Sequence, residues 1–166
     1  MHEEVEYTDD EWGLLVGLPQ SIIIAAASAE PNGSRRTHAE HEAGMQAIAE
    51  GRESPNPLVA RIAGLILERA GDPESGEEAP VIQFTDREAG IADVIRRAKA
   101  AGALLGAHAG TGTGAADAEA YKHWLVTIAD QVVNAAKSGG ILGIGGDWVS
   151  DAERRFLDEL ALVLGD

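Results

Sequence analysis

Five side chains in this sequence have the types and spacing to hold a metal ion. His38, His41 and Glu42 stand at i, i+3 and i+4, so on a helix they share one face. A helix N-terminus disfavours protonated imidazole, which keeps such histidines neutral and able to ligate. The second candidate is the acid-rich turn carrying Asp147 and Asp151, whose oxygens suit a hard cation such as calcium. Neither matches an established ligand ladder. H-E-x-x-H, the E-x-x-H of di-iron bundles and the D-x-D-x-D-G of an EF-hand are all absent from the sequence. A divalent cation is the one cofactor these residues suggest, and the alternative is that they are ordinary polar residues on a helix rim and cap.

Two glycine-rich stretches imitate nucleotide loops. "KSGGILGIGGDWVSDAE" (137–153) contains G-x-x-x-x-G from Gly140 to Gly145, but Gly146 and Asp147 stand where a P-loop needs Lys and Ser/Thr. Asp147 and Asp151 add negative charge where a phosphate would sit, so any ligand of this turn is a cation. "GTGTGA" (110–115) fits G-x-G-x-x-A, with Asp130 at the ribose-acid distance, yet Asp130 falls in mid-helix where a strand end is required. With no cysteine, thiolate catalysis, disulfides and Cys-based metal sites are excluded. No G-x-S-x-G element supports a serine hydrolase. His108 and His123 have no visible partner. No catalytic and no cofactor-binding residue is therefore assigned.

The elements that must position these residues read as helices. Four segments follow the capping-box pattern, in which a hydroxyl accepts from N3 and a Glu reaches back to the cap: Thr8–Glu11, Thr37–Glu40, Thr85–Glu88 and Ser150–Glu153. Apolar stripes at helical spacing agree. Phe156, Leu157, Leu160, Val163 and Leu164 form one, and Tyr121, Trp124, Leu125, Ile128 and Val132 another on a broad helix from Asp117 to Lys137. Asn56–Gly71 has Pro57 near its first position and Gly71 past its end. Ile91, Val94, Ile95, Ala98 and Leu105 mark a further helix, and Met45 and Ile48 extend the His38–His41 face. Near the start, Trp12, Leu15 and Val16 predict a short helix that breaks around Gly17–Pro19, with Pro19 opening the next. "PVIQFT" (80–85) is the lone strand candidate and has nothing to pair with. The expectation is an all-α fold, a single domain over 1–166 made of six or seven helices, with a mobile acidic loop near 71–83. The stretches at 25–42 and 134–155 share the order helix end, glycine turn, capping box, helix. That order fits a degenerate internal helix–turn–helix repeat, although any bundle repeats such grammar.

Charge narrows the partners. The 166 residues carry 28 acidic against 13 basic side chains, net −15, a field that repels nucleic acid and anionic membranes. The start, "MHEEVEYTDDE", has no apolar leader, and the purest apolar run, Ile22–Ala27, is far short of a membrane span. A cytoplasmic protein is expected.

The turn "GGDWVSDAE" ahead of a striped helix resembles the helix–turn–helix of TerB-like (tellurite-resistance) proteins, whose pattern runs roughly A-D-G-x-V-S-x-x-E. Val149, Ser150 and Glu153 match in place, while Gly146 and Asp147 stand in reversed order. The phrase 121–153 is also similar to stretches of uncharacterised all-helical bacterial proteins. The TerB likeness implies an acidic, stress-associated helical protein with metal affinity. Three functions follow as expectations. The first is a non-catalytic acidic module acting through a protein partner or as a homo-oligomer. The second is a metal-binding stress protein using the residues above. The third is a helical small-molecule enzyme whose site is assembled from distant residues.

Overall fold

The computed structural model describes residues 5–29, 34–71, 73, 84–138 and 151–165. Within them the chain is all-α: α1 (Asp9–Ser28), α2 (Ser34–Glu50), α3 (Pro57–Ala70), α4 (Arg87–His108), α5 (Gly114–Ser138) and α6 (Asp151–Leu164), with a 3-10 turn at Gly51–Glu53. No strand occurs among the described residues. The 71–83 loop lies outside them apart from Gly71 and Pro73, as do the glycine stretch, Asp147, Trp148 and Ser150. Both turns of the proposed repeat fall there too.

The stripes read from the sequence are the core. Tyr121, Trp124, Leu125, Ile128 and Val132 of α5 are all buried, and so are Phe156, Leu160 and Leu164 of α6. Because α5 is apolar around much of its circumference, it can be contacted from every side, and it packs against all five other helices. α1 likewise packs against all five other helices. α1 is also long and apolar enough to cross a membrane. In the bundle its Leu15, Leu18, Ile22 and Ile23 are fully buried against the other helices.

Close approach of α1, α2 and α5 depends on Gly44. A Cβ there would lie 2.6 Å from Ile23 Cγ1 and 2.8 Å from Val132 Cγ2, inside contact distance on both sides. Gly51 plays the same part for Trp124, whose indole Nε1 donates to the Ala47 carbonyl at 3.3 Å.

Helix starts follow the cap chemistry, with three corrections. Thr8 forms the full capping box: its Oγ1 accepts from the Glu11 N–H at 3.2 Å, and Glu11 Oε2 accepts from the Thr8 N–H at 2.8 Å. Asn56 caps α3 by accepting from the Leu58 and Val59 N–H groups, and Gly71 closes it at φ 102°. The Thr37 box does not start α2, which already runs from Ser34; Arg35 and Arg36 are good helix formers and extend it backwards. At α4 the cap moves one residue, from Thr85 to Asp86, whose carboxylate accepts from the Ala89 N–H at 3.1 Å. An aspartate caps as well as a threonine, and the register shift seats the Phe84 ring directly on Gly90. α6 begins at Asp151 among the described residues, and its expected cap, Ser150, lies outside them.

The third correction is the expected break at Gly17–Pro19. α1 runs straight through it, with Pro19 buried in its interior. Proline has no N–H to give the carbonyl four residues back, here Leu15. That carbonyl instead accepts from the Tyr121 hydroxyl of α5 at 2.7 Å, and Tyr121 is fully buried. A side chain from the neighbouring helix thus supplies the donor that the proline removes.

Candidate functional site

Three helices start at the same end of the bundle: α1 after Tyr7–Thr8, α3 after Asn56 and α5 after Thr113. Asp117, in the first turn of α5, ties two of these starts together. Its Oδ1 accepts from Asn56 Nδ2 at 3.0 Å and its Oδ2 from Thr113 Oγ1 at 2.8 Å. The carboxylate is nearly buried, at 5 % exposure. Burial of a carboxylate is tolerated here because both oxygens are hydrogen-bonded and the α5 dipole favours negative charge in its first turn.

Beside Asp117 lies a half-enclosed cavity of about 110 Å³, also lined by Tyr7, Trp12, Pro57, Leu58, Arg61 and Thr113. Tyr7 is fixed by two edge-to-face ring contacts, with Trp12 at 5.7 Å and with His108 at 5.2 Å. Its hydroxyl is buried and has no hydrogen-bond partner. Burial, followed by the charges of Asp117 and Glu11, pushes the Tyr7 pKa up to about 12, so at neutral pH the group is a protonated donor. Arg61 lays its guanidinium over the Trp12 ring, Cζ 4.6 Å from the centroid. Although acids outnumber bases two to one, no carboxylate of the described residues pairs with Arg61.

The site can therefore bind an acceptor. Arg61 brings a planar fork of donors to this cavity against an aromatic wall, and the buried Tyr7 O–H nearby is unused. Sequence reasoning passed over all of these residues. Thr113 was part of a dismissed glycine loop, and Asp117 was only a helix start. The available signal was Tyr7 and Trp12 bracketing a capping box, together with a single arginine inside the apolar run of α3.

His38 is exposed, His41 is buried at 5 % exposure, and Glu42 is exposed in an open groove between α2 and α5 opposite Asp130. Asp151 is exposed at the start of α6, and Asp147 lies outside the described residues. Among the described residues no three His, Asp or Glu side chains converge as a metal site.

His41 has a different consequence. Its Nε2 is buried without a partner, and its pKa is lowered, first by burial and then by the charge of His38. In the unfolded chain the imidazole takes a proton near pH 6.5, which the folded chain refuses until a lower pH. Stability attributable to His41 is thus complete above about pH 6.5 and falls as pH drops below it, by at most about 1.4 kcal/mol per pH unit. Urea unfolding between pH 7 and 5 checks this: the decline should be steeper in the wild type than in His41→Gln. Equal slopes would mean that His41 is protonated as readily folded as unfolded.

Comparison of the chain with protein-family models, with curated proteins and with solved structures gives no match, and the TerB-like resemblance gains no support from it.

Proposed function

We propose that the chain is a non-catalytic, acidic helical binding module that takes a small ligand in the Tyr7–Trp12–Arg61–Asp117 cavity. One observation carries this reading: two donor groups without acceptors, the buried Tyr7 hydroxyl and the Arg61 guanidinium, stand at one cavity. Binding is favoured over catalysis by the state of the same groups. Tyr7 holds its proton too firmly to act as a base, and each Asp117 oxygen already accepts a hydrogen bond that anchors a helix start.

Action through a protein partner or as a homo-oligomer has less to support it. Among the described residues Leu162, 79 % exposed on α6, is the one large apolar side chain that stands out to solvent. A metal-binding role would draw on His38, His41 and Glu42 of α2, which do not form a three-ligand group among the described residues.

The test is a thermal-shift screen of small polar fragments, repeated on Trp12→Ala and Tyr7→Phe. Fragments that raise the wild-type Tm are expected to lose most of that shift in both variants. Hits that stabilise the variants equally, or a screen with no hit alongside a concentration-dependent oligomer in light scattering, would overturn the reading.

A further inference from the structure

The chemistry of the cavity narrows its ligand, on the understanding that the cavity binds a small molecule at all. Arg61 and Asp117 carry opposite charges and line the same space of about 110 Å³, yet they form no ion pair with each other. Two opposite charges across a small cavity, neither neutralised by the other, match a ligand that is itself a zwitterion. The remaining hydrogen-bonding capacity agrees. Asp117 uses one acceptor site on each oxygen, for Asn56 and Thr113, and an ionised carboxylate has about four. It can accept from an ammonium without releasing either helix start. Arg61 presents its fork to a carboxylate.

A half-enclosed cavity of about 110 Å³ has room for a small molecule such as an amino acid. Charge disfavours the neighbouring classes. A phosphate dianion would face Asp117 with Glu11 close by, the two acids whose charges already act on Tyr7. A simple amine would leave the Arg61 donors unfilled.

We infer that this site recognises a small α-amino acid, with the carboxylate held by Arg61, the ammonium by Asp117, and the Cα substituent against Tyr7, Pro57 and Leu58.

Calorimetric titration of the full chain tests this with glycine, L-alanine and L-serine as zwitterions and with acetate and methylammonium as their halves. At least one amino acid is expected to bind ten times more tightly than either half. Asp117→Asn keeps a carbonyl oxygen for Asn56 and an amide for Thr113, so it should fold, and it should reduce the preference for amino acid over acetate at least tenfold. Arg61→Gln should abolish the carboxylate contribution, and because it also removes the stacking on Trp12 its unliganded melting curve is recorded as the baseline for that variant. If acetate binds as tightly as glycine, or if Asp117→Asn leaves the preference intact, the amino-acid assignment falls while the cavity remains a binding site. If all five probes fail to bind, the assignment also falls, and the fragment screen decides separately whether the cavity binds anything.

Discussion

Tyr121→Phe is expected to destabilise the chain by about 1–3 kcal/mol, because it leaves the buried Leu15 carbonyl without a donor. For a chain of this length that is a fall in Tm of roughly 2–12 °C. The reason is specific to Pro19, whose missing N–H created the vacancy. Pro19→Ala restores an N–H four residues from Leu15, so in that background the cost of Tyr121→Phe should shrink by about 1 kcal/mol or more. Urea denaturation of the two single variants and the double variant measures this coupling. Equal costs in both backgrounds would show that the tyrosine hydroxyl does not substitute for the proline's absent bond. In that case the continuity of α1 would need another cause.

A second large effect is expected at Gly114, where the turn from α4 ends and α5 begins. Thr111 folds this turn back on α4, its N–H and its hydroxyl both donating to the His108 carbonyl, and Gly114 N–H donates to Thr111 at 2.9 Å. A Cβ on Gly114 would overlap the His108 carbonyl oxygen. That oxygen belongs to the backbone and cannot rotate aside, so Gly114→Ala must move the turn itself. A loss of about 3 kcal/mol is expected, at the upper end of the range for overpacking. The displacement would also carry Thr113 and His108, which support Asp117 and the Tyr7 ring. Gly110→Ala, where a Cβ meets nothing within 4 Å, is the control and should change stability little. A Gly114→Ala variant as stable as Gly110→Ala would contradict this close approach.

These two predictions mark the border of what the sequence makes legible. Capping and periodicity are local: Thr8–Glu11, Asn56–Pro57 and the Tyr121–Val132 stripe each lie within a few turns of one helix, and each stands in the structure as the spacing implies. The Pro19 break was misjudged because the group that heals it lies 106 residues from Leu15 in the chain. The Thr85 cap was off by one because an equally good cap stands next to it and the Phe84–Gly90 contact settles the register. The candidate cavity is harder still. Its residues come from the starts of α1, α3 and α5, and nothing in the spacing of Tyr7, Arg61 and Asp117 signals that they meet. The histidine face shows the converse. His38, His41 and Glu42 do share one helix, but the packing buries only His41 and leaves the other two outside.

The central claim is that a small ligand seats against Trp12 between Arg61 and Asp117. Proton–nitrogen NMR of the indole groups tests it most directly, with the Trp12 resonance assigned by its loss in Trp12→Phe. On titration with glycine, L-alanine and L-serine, the Trp12 indole signal is expected to shift progressively and saturate for at least one of them. The Trp124 signal, held on the Ala47 carbonyl in the core, should stay in place. A Trp12 signal that never moves while the chain binds one of these probes would contradict the account.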